Sequence, residues 1–195
     1  ETKMTDNFNL NFLDLLAQQT GASIGIKEEI SDEEIRTHLH NLILSKGISA
    51  NTLSTACAIP ILDKKESLFG YIKFPARDNG SYVARKFLPD EYVKGEKYMN
   101  SAGDKTYFGE VTEEEQDYIL VEGIFDYLSL VENGYHNVIC NLGTALDAKR
   151  AYKFKEKTVF ILFDNDFAGY EGKEKAYSVL RKIKATPIIL DLPTR

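Results

Sequence analysis

Apolar positions mark three regimes along the chain. In the first, Phe8, Phe12, Leu15 and Leu16 recur at helical spacing, with Gly21 as a stop. Ser31-Asp32-Glu33-Glu34 has the form of a capping box, with Ser31 as N-cap and Glu34 three positions on. Ile35, Leu39, Leu42 and Ile43 form the apolar stripe behind it, and Gly47 ends that helix. Ser49 caps a short further helix through Leu53. From residue 58 the pattern becomes strand-like. Ile59 to Leu62, Leu68 to Phe74 and Tyr82 to Phe87 are predicted strands, with turns at Asp63 to Glu66 and Asp78-Asn79-Gly80. An antiparallel meander is the simplest arrangement.

From Tyr118 strands and helices alternate. Strands are predicted at Tyr118 to Val121, Asn137 to Cys140, Thr158 to Phe163 and Pro187 to Leu190. Helices are predicted at Ile124 to Glu132, Leu146 to Tyr152 and Tyr170 to Ile183. Such repetition implies an α/β fold: a mostly parallel sheet flanked by helices, with right-handed crossovers. The expected organisation is a helical segment at 1–57, a small mixed β subdomain at 58–116 and an α/β domain at 117–195. The acidic stretch Glu110 to Asp117 reads as the linker between the last two.

Composition narrows the class. The chain has 195 residues, 43% apolar and 28% charged, with a net charge of −6. No apolar run approaches the ~20 residues of a membrane span, so no membrane partner is expected. The chain begins at Glu1, without Met or a signal-like segment, and a fragment of a longer cytoplasmic protein is expected. Cys57 and Cys140 form no CxxC pair, which excludes a zinc ribbon or finger within the chain. Both lie beside apolar residues and are expected to be buried thiols. His38 and His40, two apart on a helix, face apart and read as surface residues. Between Pro60 and Phe108, nine Lys/Arg stand against seven Asp/Glu, a local basic excess in an acidic chain. With Tyr71, Phe74, Tyr82 and Tyr98 interleaved, that region can be a solvated face or a strand-tracking surface.

The chemistry lies at strand ends. Glu122-Gly123-Ile124-Phe125-Asp126 follows one strand, and Asp164-Asn165-Asp166-Phe167-Ala168-Gly169 follows another. Carboxylates at the carboxyl ends of neighbouring parallel strands converge on one crevice. Such a cluster attracts a hard divalent cation, which relieves the repulsion between the acids. Asp126 can alternatively serve as a helix-start acid. Asn141-Leu142-Gly143-Thr144-Ala145 follows the intervening strand and belongs to the same edge. No G-x-S-x-G elbow or nucleophile triad is present.

Glu122-Gly123-x-x-Asp126, Leu142-Gly143-Thr144 and Asp164-x-Asp166-x-Ala168-Gly169, in this order, resemble the TOPRIM domain of DnaG-type primases, topoisomerases and some nucleases. Upstream, Ile59-Pro60-Ile61, Phe69 to Ile72, Arg77 and Lys97-Tyr98-Met99-Asn100-Ser101 resemble the basic subdomain of DnaG-type RNA polymerase cores, in a divergent form typical of mobile elements. The resemblance implies a DNA primase core performing metal-dependent nucleotidyl transfer, with Glu122 and Asp126 catalytic. It implies Mg²⁺ or Mn²⁺ held by Glu122, Asp164 and Asp166. Arg77, Lys97, Asn100, Gly143 and Thr144 would contact nucleotide or nucleic acid. The implied partners are single-stranded DNA template, ribonucleoside triphosphates and a replicative helicase, fused or separate. Two further readings stay open: a TOPRIM-type nuclease, and a non-catalytic module that binds DNA or a helicase. The family also carries a further acidic motif shortly past a Leu-Pro; after Leu192-Pro193 this chain has Thr194-Arg195, and Asp191 does not match it.

Overall fold

The computed structural model describes residues 30–76, 80–101, 107–143 and 145–192. These form two compact units, one within 30–75 and 82–101, the other within 76–81 and 107–192. The predicted first helix, the Asp78-Asn79 turn, Arg77 and Thr144 lie outside the described residues.

The first unit opens with α1 (Asp32–Ser45). Its capping box forms as the sequence predicts: the Glu34 N–H donates to Ser31 Oγ at 3.2 Å, and the Ser31 N–H donates to Glu34 Oε2 at 2.7 Å. Ser49 caps α2 (Ala50–Thr55). Four strands follow, β1 (Ile59–Pro60), β2 (Tyr71–Pro75), β3 (Tyr82–Lys86) and β4 (Tyr98–Asn100), in an antiparallel sheet of order β1-β2-β3-β4. The meander therefore has one strand more than the pattern predicts. β4 is exposed at every position, so it has no alternating signature to read. Cys57, expected to be buried, is exposed. It follows the last turn of α2 with φ of 52°, outside the packed stripe.

The second unit holds a parallel sheet of order β6-β5-β7-β8, built from β5 (Asp117–Val121), β6 (Val138–Cys140), β7 (Thr158–Leu162) and β8 (Thr186–Ile189). Helix α3 (Ile124–Glu132) joins β5 to β6. Helix α4 (Ala148–Ala151), with a 3₁₀ turn through Phe154, leads to β7, and α5 (Phe167–Lys182) leads to β8. Tyr118 and Leu120 of β5, Val159 and Ile161 of β7, Phe154, and Ala176 and Leu180 of α5 form a core sealed from solvent. The α4 and α5 segments thus cover one face. The step from β5 to β6 runs opposite to the next two, so right-handed crossovers place α3 on the other face. The supposed linker is tied to this unit. Phe108 pairs with Cys140 in both directions, at 3.0 and 2.8 Å, and the Thr112 N–H donates to the Tyr118 hydroxyl at 2.8 Å.

Candidate metal and phosphate site

The chain leaves β5 toward β6 on one side, then returns past β5 to β7 on the other. The carboxyl ends of β5 and β7, adjacent and in register at Val121 and Leu162, are therefore the switch point where open α/β sheets bind ligands. Glu122 follows β5 directly, and Asp164 follows β7 with Phe163 between. The topology thus brings together two acids that lie 42 positions apart in sequence.

Glu122 is half-buried, and its Oε2 is buried without a hydrogen-bond partner among the described residues. Its carboxyl is raised above the ordinary value, first by burial and then by the charges of Asp164, Asp166 and Asp126. Asp126 reaches back along the first turn of α3 to accept from the Gly123 N–H at 3.1 Å. Gly123 permits this approach, since a Cβ there would lie 2.7 Å from Asp126 Oδ2. Asp126 is thus both a helix-start acid and a charge acting on Glu122.

Asp166 has a structural task as well. It is the N-cap of α5, accepting from the Gly169 N–H at 2.7 Å. The helix accordingly begins at Phe167, three residues before the predicted Tyr170. Gly169 fits for a separate reason: a Cβ there would lie 2.2 Å from the Asp164 carbonyl oxygen. Only glycine lets the helix start pass so close to the acidic loop.

The Asn141-to-Ala145 loop closes the edge. The Gly143 N–H donates to the Glu122 carbonyl at 3.0 Å, and Asn141 Nδ2 donates to the Gly143 carbonyl at 2.8 Å. Leu142 sits in the left-handed region, at φ of 54°. Arg150 holds the loop from below, donating to the Asn141 carbonyl at 3.2 Å, to the Ala145 carbonyl and to Asp147 Oδ2 at 2.8 Å. The Arg150 backbone N–H, and then its side chain, hold the Asp147 carboxyl below its usual range.

Two ordering residues escape the sequence reading. Arg150 is one, although Asp147-x-x-Arg150 at a helix start is a legible pair. Lys173 is the other. The buried stripe of α5 is Gly169, Gly172, Lys173, Ala176 and Leu180. A lysine on an apolar stripe is a readable departure from the pattern.

In the first unit, Lys97 and Asn100 flank and end the exposed strand β4. The Lys97 Nζ lies 5.8 Å from the Tyr98 ring centroid, and the Arg85 guanidinium 5.3 Å from it. Asn100 pairs with Val83 across the sheet. Lys86 Nζ donates to the Gly95 carbonyl at 2.6 Å, and the Tyr71 hydroxyl to the Glu96 carbonyl at 2.8 Å, which fixes the approach to β4.

Among the described residues, no group of three or more His, Cys, Asp or Glu side chains forms a ready-made metal site. The acids nonetheless fit a hard divalent cation. Mg²⁺ commonly takes one or two protein carboxylates and completes its shell with phosphate oxygens and water. Glu122 supplies a buried oxygen with no partner among the described residues, amid carboxylates whose repulsion a cation would offset. Among the described residues, no helix is long and apolar enough to cross a membrane.

The Toprim-like family model matches residues 119–195. A DNA primase from Aquifex aeolicus is 30% identical over 195 aligned residues, covering 92% of this chain and 35% of that protein. A DNA primase from Listeria monocytogenes is 30% identical over 140 residues, covering 63% of this chain and 22% of that protein. The chain spans about a third or less of the length of these relatives. Among solved structures, the zinc-binding and RNA polymerase domains of the Aquifex aeolicus primase share the fold. The TM-score is 0.67 at 24% identity, over 93% of this chain and 60% of that one. The RNA polymerase domain of Mycobacterium tuberculosis primase DnaG gives a TM-score of 0.68 at 13% identity, over 97% and 76%. The primase fragment of the bacteriophage T7 primase-helicase gives 0.55 at 22% identity, over 77% and 63%. Residues 119–195 thus form a Toprim-like domain, and the chain as a whole is similar, in divergent form, to DNA primases of the DnaG type.

Proposed function

We propose that the chain is the catalytic core of a DNA primase, joining ribonucleotides into short RNA primers on single-stranded DNA. The observation that carries this reading is the switch-point cluster: a raised, half-buried Glu122 carboxyl facing the charges of Asp164 and Asp166. A divalent cation, Mg²⁺ or Mn²⁺, held by Glu122, Asp164 and Asp166 would draw the triphosphate oxygens to the carboxylates and neutralise developing charge. Glu122, whose carboxyl burial and like charge raise above its ordinary value, would take the proton of the attacking 3′-hydroxyl. The 3′-oxygen then bonds to the α-phosphorus as the bond to the leaving pyrophosphate breaks. Asp126 holds the strand-to-helix turn that carries Glu122. Gly143 fixes the same strand end by its bond to the Glu122 carbonyl, and Thr144 beside it would meet the nucleotide. Arg77, Lys97 and Asn100 would hold template or incoming nucleotide from the basic subdomain, the middle of the three regions at 1–57, 58–116 and 117–195. A helicase and a cytoplasmic setting belong to the same reading.

Primer synthesis on single-stranded DNA with labelled ribonucleotides tests it. Short RNA products that require Mg²⁺ or Mn²⁺ are expected. Glu122→Gln should lower their yield about 100-fold or more, the usual scale for a lost general base. Template cleavage without synthesis would establish the nuclease reading instead.

A further inference from the structure

Lys173 is 3% exposed, in the second turn of α5, and sits on the apolar stripe rather than the solvent face. A buried ammonium is retained only with partners, and both of its partners belong to segments beside the acidic site. Its Nζ donates to Asn165 Oδ1 at 2.9 Å and to Asp191 Oδ1 at 3.2 Å. Asn165 stands between Asp164 and Asp166. Its own Nδ2 donates to the Leu192 carbonyl at 2.7 Å. The loop after β7 and the segment after β8 are thereby tied to one buried cation and to each other. The acids on either side have restraints of their own, Asp166 through the Gly169 N–H and the Asp164 backbone through the close passage of Gly169; the Lys173 link holds the residue between them.

We propose that Lys173 is a positioning residue that sets the acidic loop for divalent-cation binding, acting through Asn165 and the Asp191-Leu192 segment. The inference rests on the assignment of Asp164 and Asp166 as cation ligands. It adds a role for a side chain that itself touches neither cation nor substrate.

The sign of the effect separates positioning from charge. Lys173 is positive, so a purely electrostatic role would oppose a divalent cation nearby, and its removal would tighten binding. A positioning role predicts the opposite. Groups that orient metal-binding carboxylates typically change metal affinity about 10–100-fold when removed.

The test is Mn²⁺ titration of the full chain, read by the paramagnetic signal of the free ion, with no template or nucleotide present. Lys173→Met keeps the apolar stem and removes the donors. Asn165→Ala, at an exposed loop residue, breaks the same link without opening the core. Both variants should bind Mn²⁺ about tenfold or more weakly. The double variant should be no weaker than the worse single one, since both cut one connection. Affinity unchanged or increased in Asn165→Ala and Lys173→Met overturns the proposal, as does a wild-type chain that takes up no Mn²⁺. Should Lys173→Met fail to fold, Asn165→Ala alone decides. Weakened Mn²⁺ uptake in the variants of a chain that makes no primers would leave this inference standing and sink the proposed activity. Primer synthesis with unaltered Mn²⁺ uptake in the variants would do the reverse.

Discussion

At the scale of single residues, Glu122 carries the clearest energetic signature. Its folded-state carboxyl lies above the ordinary 4.5, because burial and three neighbouring acids disfavour the charged form. Below pH 4.5 the group is protonated in both folded and unfolded chains and costs nothing. Above the raised folded value it is charged in both, and folding carries the full penalty. Stability from this residue is therefore lost as pH rises through that value. Glu122→Gln should melt higher than the parent near neutral pH without divalent cations, and the gap should close as pH falls toward 4.5. Added Mg²⁺ should reverse the order, because only the parent regains a charge partner. Thermal unfolding followed by circular dichroism across pH checks both parts. A Glu122→Gln chain that melts lower than the parent at neutral pH without Mg²⁺ would show that the carboxylate has a structural partner.

At the scale of elements, local pattern predicted much of the second unit because its punctuation is local. Helix α3 runs from Ile124 to Glu132 as read, with Gly123 before it and Asn133-Gly134 after it. Helix α5 begins three residues earlier than the pattern predicts, because a residue that reads as a cation ligand stands at its start. The same carboxylate also caps the helix, so one residue serves two ends and only the backbone discloses the second. The two tasks can be separated. Asp166→Asn keeps an oxygen for the Gly169 N–H, and Asn caps about as well as Asp. Asp166→Ala removes the cap, at a cost of about 1 kcal/mol. Urea unfolding should therefore show Asp166→Asn near the parent and Asp166→Ala below it, while both lose Mn²⁺ affinity. Equal stability for the two variants would show that the cap contributes nothing. Strand β4 is the converse case. Its three residues are all exposed, and its pairing with β3 is a tertiary fact with no local sign.

At the scale of the whole molecule, strand order could not be read from the sequence, because pairing of β5 with both β6 and β7 is non-local. The chain pattern predicted that the acids share an edge; only the order β6-β5-β7-β8 makes the ends of β5 and β7 neighbours. The two cysteines offer a reporter for each unit. Cys57 is exposed in the first. Cys140 ends β6 in the second, fully buried, with its thiol pushed up to about 12 by burial. Its Sγ donates to the Glu122 carbonyl at 3.5 Å, and its backbone pairs with Phe108. A thiolate is the reactive form, so Cys140 can be labelled only when the second unit opens. One thiol should react at once in the native protein, and the second in step with denaturant unfolding of the parallel sheet. Mg²⁺ with a nucleoside triphosphate should slow Cys140 labelling and leave Cys57 unchanged, since a ligand at the Glu122 strand end stabilises the closed state of that unit alone. Quantifying the modified residues by mass spectrometry over time distinguishes the outcomes. Rapid native labelling of Cys140, or a rate indifferent to Mg²⁺ and triphosphate, would mean that the strand end bearing Glu122 is not where the ligand binds.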